Sequence, residues 1–237
     1  MNGGVFKGPL LARRKYWFYL LLLSSLLLIY LSLRVMMAAF WASQLDTFLQ
    51  DWEDKRVEPS SAAWTIAYNA ANKTIGLYPG SNANYYDRLG RVWEWKQFQH
   101  ASGDKRASES RQHALEAYRE SVATRPLWPY TWLSLAYTKT RLLEIDEEFY
   151  DALHRSIALG PWRIKTNRWV ADMGLLTWHE LDSPTQDLVL ESIRRTVNYS
   201  KGEASWLEKR ATELNRQSVF CAALDLTIKN KRNICVD

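Results

Sequence analysis

The chain has 237 residues, a formal net charge of +5 and a pI near 9.1. Five of its 31 basic residues precede residue 41, and the rest balance the 26 acidic ones, all of which follow that position. The region after residue 41 is therefore neutral and lacks the basic surface that binding to a phosphate backbone needs. These figures argue against a nucleic-acid partner and leave about 195 residues, enough for one domain with its own core.

The first element in chain order is an apolar segment. Residues Tyr16 to Leu33 form a run of 18 residues without a charge, and the apolar character continues to Trp41. Because a bilayer core of about 30 Å is crossed by roughly 20 apolar helical residues, the sequence predicts a transmembrane anchor over 16–40. A cleaved signal peptide is the alternative, but it would have an apolar core of about 7–15 residues and a small-residue cleavage site. The run here is longer, and residues 37–41 form a poor site.

Charge predicts the orientation of this anchor. Arg13, Arg14 and Lys15 precede the span without any acid, whereas acidic residues begin at Asp46. The positive-inside rule therefore places the N-terminus in the cytoplasm and the remainder across a bacterial inner membrane. The predicted division is a cytoplasmic segment over 1–15, the anchor over 16–40, a juxtamembrane helix or linker over 41–58, and a periplasmic domain over 59–237.

The predicted domain consists of helices throughout. Glycine and proline are scarce and mostly separate long periodic segments, and no alternating run typical of a strand is present. Pro79-Gly80, Arg125-Pro126 and Gly160-Pro161 are typical of helix ends. The predicted helices lie over 42–54, 60–77, 82–100, 109–123, 129–142, 146–158, 163–179, 184–198, 203–216 and 218–230.

An internal repeat is typical of tetratricopeptide-like helix pairs. Residues at relative positions 0, 4, 7 and 12 recur after a shift of 35, as Ala114, Tyr118, Ser121 and Pro126, then Phe149, Leu153, Ser156 and Pro161. The same shift relates Ala136 to Ala171, two small residues that would let paired helices approach closely. Because such a pair cannot bury its apolar face alone, neighbouring pairs stack. The sequence therefore predicts an all-α domain of stacked α-hairpins, a tetratricopeptide-like solenoid.

The two cysteines, Cys221 and Cys235, lie 14 residues apart near the C-terminus. In an oxidising compartment the pair favours a disulfide, which would stabilise the fold by roughly 3 kcal/mol in the chain-entropy model. Two buried thiols that never meet are the alternative. A zinc site is disfavoured because no neighbouring Cys or His supplies the other ligands.

Twelve tryptophans are unusual for a chain of this length, and several lie in the repeat segment. They are either large core residues at helix crossings or an aromatic surface that stacks on sugar rings or docks a partner peptide. For a single tryptophan the core interpretation is favoured. The candidate contact residues for a partner or glycan are Trp128, Tyr130, Trp132 and Trp162.

Sequence motifs for catalysis are missing. The four histidines lack the spacing of a zinc protease, and the chain has neither a glycine-rich phosphate loop nor a Gly-x-Ser-x-Gly elbow. We therefore expect no enzymatic activity, no cofactor and no metal. Asp172, between Ala171 and Met173, is the best alternative candidate for an acid or base.

The chain resembles the VpsP family of polysaccharide biosynthesis proteins. The resemblance lies in Arg125-Pro-Leu-Trp-Pro-Tyr-Thr-Trp132, Phe149-Tyr-Asp-Ala-Leu153, Ala158-Leu-Gly-Pro-Trp162, Val170-Ala-Asp-Met-Gly174, Trp178, Leu188-Val-Leu-Glu191 and the two cysteines. It implies a protein that works beside the machinery for exopolysaccharide polymerisation and export, and it transfers no catalytic residue. We therefore expect a membrane-anchored scaffold that binds polymerase or export proteins and, in one version, glycan. A polysaccharide-trimming enzyme and a general envelope chaperone are the alternatives.

Overall fold

The computed structural model describes residues 8–235, with side chains from Lys15 onward, and that part of the chain contains helices but no strand. Residues 1–7 and the side chains of Arg13 and Arg14, which carry part of the predicted topology signal, lie outside the described part. The helices are α1 Gly8–Lys55, α2 Ser61–Leu77, α3 Ala83–Trp95, α4 Ser108–Thr124, α5 Pro129–Leu142, α6 Glu147–Leu159, α7 Ile164–Leu176, α8 Ser183–Tyr199, α9 Lys201–Glu213, α10 Gln217–Ala222 and α11 Leu226–Arg232, with short 3-10 turns at Lys105–Ala107 and Trp178–Glu180.

Helix α1 passes through two different environments. At 48 residues it is about 72 Å long, and its most apolar window has a mean hydropathy of 2.1 and no buried residue. This helix is long and apolar enough to cross a membrane. Farther along, burial is confined to a stripe with alternating spacings of four and three, which is the pattern of a helix packed along one face. The stripe consists of Ala38, Ala42, Leu45, Leu49 and Trp52.

The C-terminal part of α1 forms the first hairpin with α2. The Arg34 guanidinium donates to the carbonyl of Gly76 at 2.7 Å, and the Lys73 ammonium lies 3.9 Å from the centre of the Trp41 ring. The helix expected over 42–54 is therefore the continuation of the apolar helix, and residues 41–55 belong to the stack. Farther along the chain, the helix expected over 218–230 is divided into α10 and α11.

Four more hairpins follow, α3/α4, α5/α6, α7/α8 and α9/α10, and their first helices pack in parallel on one another. In every pair of neighbouring first helices, two contacts advance in the same direction along both helices, as parallel packing requires. Helices α1 and α3 are joined by the ion pairs Asp46–Arg88 and Glu53–Arg91 at 2.6 Å each, and α3 and α5 by the hydrogen bonds Asp87–Thr131 at 3.0 Å and Glu94–Thr138 at 2.8 Å. Between α5 and α7, the Lys165 ammonium lies 5.4 Å from the centre of the Tyr130 ring, and the ring centres of Tyr137 and Trp169 are 4.8 Å apart. Helices α7 and α9 are joined by the ion pairs Arg168–Glu203 at 3.2 Å and Asp172–Arg210 at 2.5 Å.

The repeat predicted from the sequence is confirmed by burial. The residues at its three helical positions in both copies are fully buried, as are the small residues Ala136 and Ala171. These positions line the seams between helices, so the domain is an all-α stack of helical hairpins, as predicted. Cys221 and Cys235 are joined in a disulfide with their Cα atoms 5.8 Å apart, which ties the C-terminal residues back to α10.

Two glycines permit the closest helix contacts. A Cβ atom at Gly90 would lie 2.6 Å from the Tyr118 ring, and one at Gly174 would overlap the side chain of Val189. Val189 is fully buried and β-branched, so it has little freedom to move away. The α7/α8 contact therefore depends on the missing side chain of Gly174.

We expect Gly174→Ala to lower the free energy of unfolding by roughly 1–3 kcal/mol, because the added methyl group overpacks the seam. Gly76→Ala is the matched control, since Gly76 also lies in a helix but a Cβ atom added there would meet no side chain or neighbouring helix within 4 Å. Its gain in helix propensity should stabilise the protein by about 0.5–1 kcal/mol. Denaturant unfolding of the purified full chain in detergent measures both. Equal stability of Gly174→Ala and the parent would contradict the close packing of α7 on α8.

Candidate functional site

The parallel first helices form one face of the stack, and this face contains a large cavity. The cavity is an open groove of about 770 Å³, which is hereafter called the groove. Every first helix contributes to its lining, so an occupant would contact several hairpins at once. The lining residues are Glu53, Arg56, Asp87, Arg91, Glu94, Trp95, Phe98, Arg111, Trp128, Tyr130, Leu133, Ser134, Tyr137, Thr138, Arg141, Lys165, Arg168, Trp169, Asp172 and Trp206.

Aromatic rings form much of the groove wall. Tyr137 meets Trp169 edge to face with ring centres 4.8 Å apart, and Trp95 lies 4.2 Å from Phe98. The guanidinium of Arg168 stacks 3.8 Å from the centre of the Trp206 ring. Such rings offer a large contact area at a low cost in conformational entropy, and they accept both peptide and sugar surfaces.

The groove carries more cations than anions, with six basic and four acidic residues in its lining. Some of this charge is neutralised locally, since Arg91 pairs with Glu53 at 2.6 Å and Arg168 pairs with Glu203 at 3.2 Å. In the described part of the chain, Arg56 and Lys165 have no carboxylate within 4.0 Å. The groove therefore keeps cations available for an anionic group.

Two further cations, Arg111 and Arg141, lie side by side at the end of the groove near Phe98. Arg111 donates to the carbonyl of His100 at 2.8 Å and to the carbonyl of Arg141 at 2.9 Å. Arg141 donates to the carbonyl of Phe98 at 2.9 Å. Burial lowers the pKa of Arg111, and the adjacent charge of Arg141 lowers it further. Backbone carbonyls hold both guanidinium groups in place without cancelling their charge, so this end of the groove is electropositive.

Glu94 is the most perturbed carboxyl group of the groove. Tyr118 and Thr138 both lie 2.8 Å from its oxygens, and burial raises its pKa from the ordinary 4.5 to about 7. The Thr138 hydroxyl also lies 2.9 Å from the carbonyl of Ser134, and its single proton can serve only one of these two acceptors. A protonated Glu94 resolves the conflict, because it donates to Thr138 while Thr138 donates to Ser134. The local geometry therefore favours a neutral Glu94.

Only two of the four predicted contact residues lie in the groove. Trp128 and Tyr130 line the groove, with ring centres 5.4 Å apart. Trp132 donates to the carbonyl of Pro126 at 2.7 Å and does not line the groove. Trp162 is 82% exposed on the turn before α7, where Arg195 lies 4.6 Å from its ring centre. The structure therefore brings two of the four together.

The carboxylate considered as a catalytic alternative has a structural partner. Asp172 lines the groove, but the Arg210 guanidinium holds it at 2.5 Å. Sequence reasoning missed Asp87 and Glu94, of which Glu94 is the carboxyl that exchanges a proton near neutral pH. A signal existed in the spacing of Asp87, Arg91 and Glu94, which fall four and three residues apart on one face of α3.

In the described residues no group of three or more His, Cys, Asp or Glu side chains is arranged to hold a metal ion. No protein-family model matches this sequence, and no curated protein sequence matches it.

We expect stability to depend on the proton of Glu94. Its folded pKa lies above its unfolded value, so the folded state binds more protons between about pH 4.5 and 7, and stability falls as pH rises through this window. Glu94→Gln keeps the shape of the side chain but cannot titrate, so its melting temperature should fall less over the same range. Thermal unfolding of the full chain in detergent from below pH 4.5 to above pH 7 tests this.

The matched control is Glu120→Gln at an exposed position of α4, which should follow the parent curve. If Glu94→Gln and the parent have the same pH profile, Glu94 is not the group that takes up the proton.

Proposed function

We propose that this protein is a membrane-anchored scaffold for exopolysaccharide biosynthesis and secretion, which binds an extended segment of a polymerase or export protein in its groove. The observation that carries this proposal is the construction of the groove from the first helices of all five hairpins. An extended ligand can lie across such a face and touch one repeat after another. The link to polysaccharide export rests on the resemblance to the VpsP family. The groove alone would accept other partners with the same chemistry, and the resemblance is the reason for proposing a polymerase or export protein.

The groove chemistry supports a segment of stated character. Aromatic walls suit large apolar side chains, and the cations at Arg56, Arg141 and Lys165 suit carboxylates. An acidic segment with interspersed aromatic or aliphatic residues satisfies both. An acidic glycan shares the charge but not the spaced apolar side chains, so the protein segment is the better match.

The proposed location is the bacterial inner membrane, with the N-terminus in the cytoplasm and the helical stack in the periplasm. The basic residues before the span support this orientation, and the Cys221–Cys235 disulfide is compatible with an oxidising compartment. The scaffold would thus stand beside the membrane-embedded steps of polymer export.

Charge reversal in the groove tests the binding role. We expect Arg56→Glu combined with Lys165→Glu to weaken binding of a fluorescein-labelled polyglutamate peptide roughly tenfold, since each reversal replaces an attraction with a repulsion. Lys165 lies in the first turn of α7, where an acid is favoured, so the fold should tolerate the change. Fluorescence anisotropy at low and high salt measures the affinity.

Lys209→Glu is the matched control, because Lys209 is 80% exposed and does not line the groove. It should bind the peptide like the parent. In cells, crosslinking and pull-down of the parent should recover polymerase and export proteins, and the double variant should recover less of them. Unchanged peptide binding and unchanged recovery by the double variant would refute a role for the groove.

The orientation has its own test. We expect a C-terminal alkaline phosphatase fusion to be active and a C-terminal green fluorescent protein fusion to be dark in bacteria, because the C-terminus lies outside the cytoplasm. Replacing Arg13, Arg14 and Lys15 by Gln should reduce this preference, since these residues carry the topology signal. Replacing Lys209, Lys229 and Lys231 by Gln is the control and should leave it unchanged. A bright, phosphatase-inactive parent would place the stack in the cytoplasm.

A further inference from the structure

The membrane anchor also determines which edge of the helical stack faces the bilayer. The first helices run parallel to α1, so their N-terminal ends point in the same direction as its apolar half. The loops that precede them therefore lie together on one edge, hereafter the membrane-side edge. The Arg34–Gly76 hydrogen bond places the end of α2 beside the last residues of the apolar run. These are the loops over residues 78–82, 125–128 and 160–163, and the α8/α9 junction over residues 199–202, where Ser200 alone separates the two helices.

Large apolar side chains project from this edge into solvent. Leu127 is 76% exposed, Trp162 is 82% exposed and Tyr199 is 64% exposed. Leu127 and Trp162 stand at equivalent places in two successive loops, 35 residues apart, and Tyr199 ends α8 at the next junction. Tryptophan and tyrosine are the residues enriched where a protein meets the membrane–water interface.

The same loops carry positive charge and no acid. Arg125, Arg163 and Lys201 lie in them, one per loop, and residues 78–82 are uncharged. Arg163 lies 5.9 Å from the Trp128 ring centre, so cation and ring are presented together. The loops of the opposite edge mix both signs and contain the acids Glu58, Asp104, Glu144, Asp146, Glu180 and Asp182. The loops of the membrane-side edge are therefore positively charged, whereas the loops of the opposite edge carry both signs.

We infer that the membrane-side edge rests on the bilayer surface, where its cations bind anionic phospholipid headgroups and its apolar tips enter the interface. The inference rests on the proposed anchor, since α1 must span the membrane for this edge to face lipid. Charge complementarity and direct continuity with the apolar half of α1 select a bilayer over a protein partner. A tethered surface also needs little intrinsic affinity, because the anchor already holds it at high effective concentration.

Hydrogen exchange of the purified full chain in lipid nanodiscs tests the contact. We expect amides of residues 125–128 and 160–163 to exchange severalfold more slowly in discs of phosphatidylcholine with phosphatidylglycerol than in discs of phosphatidylcholine alone. Residues 143–146 on the opposite edge should exchange equally in both. Both kinds of disc contain the same scaffold protein and no export protein, so a slowing that depends on the lipid cannot come from a protein partner.

The variant Leu127→Ser with Trp162→Ser should lose most of this protection, while Val57→Ser with Ile66→Ser, at exposed positions away from the edge, should keep it. Circular dichroism confirms that each variant is folded. Equal exchange in both lipids and in all variants, with the chain recovered in the discs, would overturn the inference and leave the anchor intact. Failure of the chain to enter discs at all would refute the anchor, and this inference with it.

Discussion

One uninterrupted helix sets the geometry of this protein. Helix α1 is apolar on all sides from Tyr16 to Leu33 and is buried along one stripe from Ala38 onward, and Arg34 stands between the two parts. Because α1 is one continuous helix, α2 and α3, which pack on its buried stripe, are aligned with the axis of its apolar segment. Each later first helix lies parallel to the one before, so the direction of α1 is kept to the far end of the stack. The groove and the membrane-side edge both follow from this packing.

The repeat could be predicted because small and large side chains recur at fixed positions in the sequence. Buried small residues such as Ala136 and Ala171 recur at the spacing of the hairpins, and that spacing is legible in a single sequence. Two element boundaries could not be predicted from the sequence: the start of the buried stripe within α1 and the division between α10 and α11. The stripe of α1 begins inside an apolar run, where alternation is masked, so the anchor and the first hairpin looked like separate elements. Near the C-terminus, Asp225 caps a new helix by accepting from the amide of Ile228 at 2.8 Å, which divides the expected helix.

The groove could be predicted only in part, since its lining is collected from helices far apart in the sequence. Tyr130 and Trp132 show the difficulty. They are two residues apart on α5, about 200° around the helix axis, so one faces the groove and the other packs against the turn at Pro126. Composition indicated an aromatic surface without saying which ring faces it. Glu94 was missed for a related reason, because its raised pKa comes from burial beside Tyr118 and Thr138, residues of two other helices.

The groove and the membrane-side edge meet at one place. Trp128 and Tyr130 lie at the N-terminal end of α5, so one aromatic end of the groove lies at the membrane-side edge. The opposite end is formed by Trp95, Phe98 and the Arg111–Arg141 pair. If α1 spans the membrane as proposed, a segment that leaves the bilayer enters past the aromatic rings and runs toward the paired guanidinium groups. Burial raises the pKa of Glu94 to about 7, which lessens the negative charge of this carboxyl near neutral pH, so the excess of cations along that path favours an acidic chain.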